Sequence, residues 1–234
     1  YDTRGSDRQQ ELKWLLGRAF EIRRTKAQVL PQLPDKLQGT LYVDADPSSR
    51  AEMTCLRAKL DTAISKGSRL AQTLVMEMYR ATAHAKAQAA AGLVAGRVCK
   101  GTVVFAHHKA MLDALERCIP DSMQSIRIDG STSTDHRARH VRDIQAGRVD
   151  VACLSMGAAG VGLTLTASNT LVFLELPWNP ATLGQCRDRI YRVGQERECS
   201  VHYVMGTDTV DDHIWEKIQT KDQTIDSIMT TTRA

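Results

Sequence analysis

Sequence features that mark extracellular, metal-binding or membrane-spanning proteins are missing from this chain. There is no Cys-x-x-Cys pair, and no histidine stands at ligand spacing from any of the six cysteines, at 55, 99, 118, 153, 186 and 199. This argues against a disulfide framework and against a metal site, and it favours a reducing compartment. No apolar run approaches the roughly 18–20 residues that span a bilayer, and no signal peptide is visible. We therefore expect neither a bound metal nor a membrane partner.

The sequence also lacks the parts of a complete nucleotide-hydrolysing site. Neither a Gly-x-x-x-x-Gly-Lys-Ser/Thr loop nor a DEAH-like pair of carboxylates occurs in it. Such parts cradle the phosphates, hold Mg²⁺ and orient the attacking water. The dinucleotide-binding glycine pattern is absent as well. The chain is therefore not expected to hydrolyse a nucleotide by itself.

What is present is an ordinary globular composition with a mild excess of positive charge. The 234 residues are 42% hydrophobic and 25% charged, with a net charge of +4 and a pI near 8.8. This length permits one large domain or two small ones. The charge permits nucleic-acid binding without requiring it, because it is spread along the chain. The first residue is Tyr1 rather than methionine, and we expect the chain to be part of a longer protein.

The first hundred residues are predicted to be mainly helical. Residues 8–30 have helical spacing, which ends at two prolines, and 37–46 alternate as a strand does. The Ala-, Met- and Leu-rich segment 47–96 has no β-branched run. With Gly67 and Gly92 as breaks, it is typical of two helices that form a hairpin.

From residue 101 onward, short apolar strands alternate with helices. Strands are predicted at 101–107, 125–129, 149–155, 170–176 and 199–205. Helices are predicted at 108–118, 134–146, 180–190 and 208–228. This alternation indicates a parallel sheet covered on both faces, with ligands beyond the carboxyl ends of its strands.

The densest group of arginines lies at 185–197, read as QCRDRIYRVGQER. Arginine at this density usually marks a solvated face. Here the segment follows a buried-looking strand and a helix that begins at a proline, so the guanidiniums are held by a scaffold. Held guanidiniums suit phosphate, because the planar fork donates two parallel hydrogen bonds and keeps its charge.

Two loops after predicted strands carry small or hydroxyl residues. In 155–164, read as SMGAAGVGLT, glycines let backbone N–H groups approach a phosphate, although a tight turn explains them equally well. In 128–133, read as IDGSTS, Ser133 or Thr134 is expected to cap the next helix. Hydroxyls and helix N-terminal amides also donate to DNA phosphates, so both interpretations can hold together.

Two further features are better explained by packing than by chemistry. His107 and His108 have no partner at metal spacing, so capping or packing is expected. Trp178, between two prolines, is more typical of a packed loop anchor than of a contact to a DNA base or backbone.

These elements occur in an order that resembles one family. DGSTS, SxxAAGxGLT, VFLELPWNP and QxxDRxYRxGQ, in this order, resemble the second RecA-like lobe of superfamily-two ATPases of the Swi/Snf class, which are double-stranded-DNA translocases. Residues 22–36 resemble the segment that joins the two lobes of such motors. VVFAHHKAML, IRIDGSTS and AAGVGLTLTAS are most similar to the annealing-helicase subgroup.

The resemblance implies an α/β fold, a RecA-like three-layer α/β/α lobe with a mostly parallel sheet and an inserted helical-hairpin protrusion. Residues 1–36 would be the interlobe helical linker and 37–234 the lobe. Within the lobe, 47–96 would be the protrusion and 206–234 the C-terminal helix.

The resemblance also implies roles for single residues. Arg189 and Arg192 match the motif arginines that reach ATP bound on the first lobe. The positions that support the ATP site are Gln185, Asp188, Gly160 and Gly162. The positions on the DNA side are Ser131, Thr132, Arg137, Ser155 and Trp178. Arg187 and Arg197 remain as surface charge. The wider class has Thr-Arg/Lys where Met156-Gly157 stand and Asn where Thr164 stands, so no DNA contact is expected from position 157.

The function implied is the C-terminal motor lobe of an ATP-dependent double-stranded-DNA translocase with a role in DNA repair. ATP and Mg²⁺ would be bound mainly by a first lobe that this sequence lacks, so the chain would be inactive as an ATPase alone. The partners would be that lobe and double-stranded or branched DNA. The location would be the nucleus in a eukaryote, or the cytoplasm and nucleoid in a bacterium or phage.

Two alternatives stay open beside this function. The first is a non-enzymatic module that binds DNA or a protein and lacks a motor half. The second is a small α/β enzyme such as a nucleotide-dependent transferase. That enzyme would need a cofactor loop at its first strand, and LYVDADPSS offers none.

Overall fold

The chain is built around one six-stranded sheet in which every neighbouring pair of strands is parallel. The computed structural model describes residues 8–19, 24–159 and 162–229. The strand order is β1-β6-β5-β2-β4-β3. The strands are β1 (Lys36–Val43), β2 (Thr102–Ala106), β3 (Ser125–Ile128), β4 (Val151–Ser155), β5 (Thr170–Phe173) and β6 (Cys199–Gly206).

Helices cover both faces of this sheet. They are α1 (Gln9–Ala19), α2 (Lys26–Val29), α3 (Pro47–Ser65), α4 (Leu70–Ala95), α5 (Lys109–Cys118), α6 (Thr134–Gln145), α7 (Met156–Ala159), α8 (Pro180–Arg187) and α9 (Asp211–Met229). Side chains of α6, α8 and α9 join the core on one face, and side chains of α4 and α5 join the core on the other. The predicted three-layer α/β/α arrangement is confirmed.

The central strands are apolar on both faces, which is why their sequences run without a polar break. Every residue of β2 is buried. Phe105 and Phe173 stack on one face with ring centroids 5.8 Å apart, and Tyr203 continues the stack at 5.3 Å from Phe173. Val104 and Val172 point into the core on the opposite face. Burial on both faces is what a parallel sheet requires of its central strands.

The predicted helical hairpin is present as α3 and α4. Asp46 caps α3 by accepting a hydrogen bond from the Ser48 backbone N–H at 3.1 Å. Gly67 lies between the helices with φ of +61°, a left-handed conformation that favours glycine. The prediction of a break at Gly92 was wrong, because α4 continues to Ala95. Ala90 and Ala91 are fully buried beside it, and their packing outweighs the roughly 1 kcal/mol that a helical glycine costs.

A buried ion pair ties the hairpin to the sheet and to the last helix. Lys86 Nζ lies 2.6 Å from the carboxylate of Asp211, and both side chains are 1% exposed. Lys86 also donates to the Val204 carbonyl at 2.9 Å, and Asp211 accepts from the Gly206 N–H at 2.9 Å. Each charge therefore has a second partner, as burial demands.

Several predicted boundaries differ from those observed. The helix expected at 180–190 ends at Arg187, and the C-terminal helix begins at Asp211. The short helix α7 was not predicted, since its four residues belong to the glycine-rich segment 155–164, which was interpreted as a loop. The division of the chain at residue 36 stays a prediction. None of the helices in the described ranges is long and apolar enough to cross a membrane.

Candidate functional site

The arginine segment is positioned by the loop and helix that follow β5. The Asn179 side chain caps α8 by accepting from the Ala181 N–H at 2.9 Å, and Pro180 starts the helix. A proline costs nothing at this position, because its missing N–H would have no intrahelical partner. Helix α8 ends at Arg187, so Arg189 and Arg192 lie just beyond it.

Arg189 and Arg192 both reach the loop that follows α7. Arg192 Nη1 donates to the Thr164 hydroxyl at 3.1 Å, and Arg189 Nη1 lies 3.5 Å from the Leu163 carbonyl. The Nε of Arg189 is buried and has no hydrogen-bond partner. In the part of the chain that the structure describes, no carboxylate lies within ion-pair distance of either arginine. Both guanidiniums therefore contact the same loop, and neither has a counter-charge among the described residues.

Gln195 holds this arrangement together, and its role was not anticipated from the sequence. Its side chain is 5% exposed, and its Nε2 lies within hydrogen-bond distance of the carbonyls of Thr166, Ser168 and Ile190, at 3.2, 2.8 and 3.1 Å. Its Oε1 accepts from the Arg197 N–H at 3.0 Å. One buried amide thus joins the arginine segment to the loop before β5.

The segment before β1 contacts the residues that precede these two arginines. Lys26 Nζ pairs with the carboxylate of Asp188 and donates to the Tyr191 carbonyl at 2.7 Å. These two partners immediately precede Arg189 and Arg192 in the chain. Asp188 therefore connects the segment to α8. Gln185 is exposed on α8.

Arg187 and Arg197 differ in exposure, and each side chain has a hydrogen-bond partner in the protein. Arg187 is half-buried and donates to Gln38 Oε1 on β1 at 3.3 Å. Arg197 is exposed, and its guanidinium donates to the Ala167 carbonyl. The expectation of surface charge fits the exposed Arg197, whereas Arg187 is half-buried against β1.

The glycine-rich loop begins with a short helix rather than with a simple turn. The Ser155 hydroxyl accepts from the Ala158 N–H at 3.3 Å, so it caps α7. Gly162 has φ of +55° and is exposed, with open space where a side chain would be. Gly160, expected to act with it, lies outside the described residues. The backbone near Gly162 is therefore free to approach a ligand closely.

The loop after β3 is organised by one buried carboxylate. Asp129 Oδ1 accepts from the N–H and the hydroxyl of Ser131, at 2.8 and 2.5 Å, and the Asp129 N–H donates to the Thr132 hydroxyl at 3.0 Å. The Arg137 guanidinium donates to the Asp129 carbonyl at 3.2 Å. The hydrogen bonds from Ser131, with Arg127 alongside, lower the pKa of Asp129 to about 2. Ser131, Thr132 and Arg137 are thus brought together around Asp129, and their contact with DNA stays a prediction.

Ser133 caps α6 by accepting from the His136 N–H at 3.4 Å, which confirms the predicted cap. Beside this loop lies an open groove of about 740 Å³, lined by Lys109, His136 and His140 among others. Arg127 on its wall is paired with Asp113, Glu116 and Asp129, at 2.5, 3.0 and 2.9 Å. Its charge is therefore already used within the protein.

The two histidines after β2 meet a buried carboxylate that the sequence did not reveal. Glu175 is 1% exposed, accepts from the N–H groups of His107 and His108 at 2.8 Å each, and lies 2.5 Å from the Nδ1 of His108. Burial opposes its ionisation, but the His108 hydrogen bonds prevail and lower the pKa of Glu175. Both imidazole rings contact the Tyr79 ring, with centroids 5.6 and 5.2 Å away, and the His108 side chain does not cap α5.

Trp178 packs as a loop anchor. Its ring is edge-on to Tyr79 with centroids 5.4 Å apart, and it is partly buried against the main core. The Tyr79 hydroxyl donates to the Leu176 carbonyl at 2.8 Å, which fixes the loop before α8. The indole N–H of Trp178 is buried without a partner.

The candidate residues form two groups in the fold. Ser131, Thr132 and Arg137 lie beyond the carboxyl end of β3, and Ser155 ends the neighbouring β4. Arg189 and Arg192 lie instead with the loop that leads into β5 and just before β6. The structure therefore gathers the hydroxyls in one place and the motif arginines in another.

The donor set of the second group fits a phosphate. Two guanidiniums without a counter-charge, one of them with a buried Nε that has no partner, suit the oxygens of a phosphoryl group. For Mg²⁺ the fit is absent. Across the described ranges, no group of three or more His, Cys, Asp or Glu side chains could hold a metal ion.

Comparisons with known proteins agree on the family. Residues 85–194 match the helicase conserved C-terminal domain. The chain is 34% identical to a Drosophila melanogaster SWI/SNF-related matrix-associated actin-dependent regulator of chromatin subfamily A-like protein 1, over 97% of this chain and 31% of that protein. It is 35% identical to the Mus musculus DNA annealing helicase and endonuclease ZRANB3, over 98% of this chain and 22% of that protein. The chain spans about a third or less of the length of these relatives.

A solved structure shows the same fold at low sequence identity. It is the C-terminal part of the Fun30 ATPase domain, with a TM-score of 0.63, 14% identity, and coverage of 84% of this chain and 97% of that one. This likeness confirms the predicted RecA-like lobe. The matches in sequence show that residues 85–194 are a helicase conserved C-terminal domain and that the chain is a homologue of SWI/SNF-related and annealing-helicase proteins.

Proposed function

We propose that this chain is the second motor lobe of an ATP-dependent translocase on double-stranded DNA. The observation that carries the proposal is the pair Arg189 and Arg192, held on the loop 162–169 with no carboxylate of the described residues to neutralise them. The sequence has no phosphate cradle of its own. The arginines therefore serve a phosphate that another lobe holds.

In this mechanism Arg189 and Arg192 act as arginine fingers. When ATP and Mg²⁺ are bound on the first lobe, that lobe supplies the metal-assisted phosphoryl-transfer chemistry. The guanidiniums stabilise negative charge on the γ-phosphate when the lobes close. Gln195 and the Lys26–Asp188 pair keep their backbone in place. Gly162 would couple closure to the rest of the loop.

The DNA contacts of the proposal lie at the other group. The Ser131 and Thr132 backbone and hydroxyls, with Arg137 and the start of α6, suit a phosphate backbone, which they would contact without reading sequence. The family resemblance adds Ser155 and Trp178 to the residues proposed to contact DNA. Cycles of closure and opening would ratchet the lobes along the duplex, and the lobe alone would be idle.

The test is reconstitution with a matching first lobe. The wild-type chain should restore DNA-stimulated ATP hydrolysis, and Arg192→Ala or Arg189→Ala should lower turnover by about 10³–10⁵, as for other arginine fingers. Arg197→Ala is the matched control, since Arg197 is exposed and should stay within a few fold of wild type. Unchanged turnover in both finger variants would overturn the proposal.

A non-enzymatic DNA-binding module is the second candidate, supported by the Asp129 loop, which is complete without any other lobe. It predicts salt-dependent duplex binding and no response to ATP under any complementation. The relatives compared above are eukaryotic, so a nuclear location is proposed for a eukaryotic source and the nucleoid for a bacterial one. We propose double-stranded or branched DNA as the nucleic-acid partner in either case.

A further inference from the structure

A positively charged cavity lies between the end of α8 and the segment before β1. Its volume is about 540 Å³. The charged and aromatic lining residues are Lys26, Lys36, Arg187, Asp188 and Tyr191. The remainder of its wall is apolar.

The charges around this cavity do not balance. Three cations face one carboxylate, and that carboxylate, Asp188, is already paired with Lys26. In the described part of the chain, no carboxylate lies within ion-pair distance of Lys36. Three cations and one carboxylate give the lining of the cavity a net charge of about +2, and partial burial weakens the screening of that charge by water.

The cations are fixed rather than mobile. Lys26 donates to the Tyr191 carbonyl at 2.7 Å, and Arg187 donates to Gln38 at 3.3 Å. The ammonium groups of Lys26 and Lys36 lie 5.5 and 5.3 Å from the centre of the Tyr191 ring. One aromatic ring thus holds two like charges near each other. Such an arrangement is pre-organised for an anion, since little side-chain entropy remains to be lost.

The titration of Lys36 agrees with this geometry. Burial lowers the pKa of Lys36, the nearby charges of Arg187 and Lys26 lower it further, and Asp188 offsets only part of this. An anion in the cavity would oppose both causes. The protein alone leaves Lys36 in an unfavourable environment that an anion would relieve.

We propose that this cavity is a binding site for a phosphate dianion, separate from Arg189 and Arg192. The two uncompensated positive charges match the charge of a phosphate or phosphate monoester, and Lys and Arg together supply both point-charge and forked donors. The phosphate comes either as the free ion or as part of a nucleotide. In both cases its oxygens are the recognised group.

The experiment is a titration of the 234-residue chain with inorganic phosphate at pH 7 and constant ionic strength, followed by ¹H–¹⁵N NMR. Saturable shifts are expected at Lys26, Lys36, Arg187 and Tyr191. Lys36→Gln should weaken binding by about tenfold or more, the equivalent of 1.4 kcal/mol. Arg187→Gln tests the same site from another element. Lys100→Gln is the matched control, because Lys100 is exposed and lies outside the cavity.

A second arm uses adenosine monophosphate in place of phosphate. Tighter binding at the same residues assigns the site to a nucleotide, and equal binding assigns it to the phosphate group alone. Loss of binding in Lys100→Gln equal to that in Lys36→Gln, or shifts that do not saturate at the cavity, would overturn the proposal. Arg189→Ala must leave this binding unchanged, so the outcome is independent of the motor function proposed above.

Discussion

Two loops of this lobe are each held in shape by one buried side chain, but one of these side chains is charged and the other is neutral. Asp129 gathers the loop after β3 around a buried carboxylate, whereas Gln195 gathers the arginine segment around a buried amide. Each side chain is about 5% exposed or less. The Gln195 amide contacts only backbone groups, whereas the Asp129 carboxylate accepts from the N–H and hydroxyl of Ser131 and from Arg127. The first organiser carries a charge and the second carries none.

This difference matters because of what stands next to each organiser. Arg127 is neutralised by Asp129 and two other carboxylates. Arg189 and Arg192 have no such partner in the described part of the chain. A neutral organiser fixes the backbone without consuming the positive charge nearby. The arginine segment can therefore be rigid and still attract an external anion.

Exchanging the amide for a carboxylate at the second organiser should give the largest effect. In Gln195→Glu the carbonyls of Thr166, Ser168 and Ile190 would face a negative charge instead of a donor. We expect the free energy of unfolding to fall by about 3–4 kcal/mol, because buried groups lose partners and a charge is buried. The measurement is urea denaturation.

Gln145→Glu is the control for that exchange. Gln145 is exposed, and its oxygen accepts from the Ala167 N–H of the same loop at 2.8 Å, a role that glutamate keeps. Its denaturation midpoint should stay close to wild type. Equal midpoints in both variants would mean that the neutral organiser is not needed.

The reverse exchange, Asp129→Asn, should cost less. The pKa of Asp129 falls from 3.8 to about 2 on folding, which corresponds to about 2 kcal/mol of stability at neutral pH. We expect the free energy of unfolding to drop by about that amount in denaturation at pH 7. A variant as stable as wild type would show that the negative charge of Asp129 does not stabilise its loop.

Acid should remove the same contribution from the wild-type chain. A carboxyl whose pKa is lowered by folding stabilises the protein above its unfolded pKa, near 3.9, and loses that effect as the pH falls toward 2. The stability gap between wild type and Asp129→Asn should therefore close between about pH 4 and pH 2. Parallel pH profiles for the two proteins would contradict this.

The smallest effect is expected at the lysine behind the arginine segment. Lys26→Met keeps an apolar stem near Tyr191 but loses the pair with Asp188, whose side chain is 55% exposed. We expect a loss of about 0.5–1 kcal/mol, since exposed pairs contribute little. Thermal unfolding of this variant and of Lys100→Met makes the comparison. A loss as large as in Gln195→Glu would move the organising role to Lys26.

The sheet could be predicted from the sequence because its signals are local. Strand β2 is apolar at every position after Thr102, and the Ser133 cap stands directly before its helix. The helix break predicted at Gly92 is absent because the sequence shows only the local cost of a helical glycine. The packing of Ala90 and Ala91 that outweighs this cost is tertiary and cannot be seen in the sequence.

The partners of the buried polar groups could not be predicted, because they lie far apart in the chain. Glu175 looks like one charge in an apolar strand, and its histidine partner is 67 residues away. Gln195 stood out as part of a motif, but nothing local indicates that its amide bonds to a loop about 27 residues earlier. Hydrogen-bond partners at that range follow from topology rather than from spacing.

The edge strand β1 gives the lobe a mechanical property. It pairs in parallel with β6 along its whole length, from Lys36 opposite Cys199 to Val43 opposite Gly206. Force transmitted through the preceding segment pulls along this strand, so the ladder is loaded in shear and its hydrogen bonds resist together rather than opening one by one. A pull on the chain before Lys36 would therefore be resisted by the whole β1–β6 ladder at once.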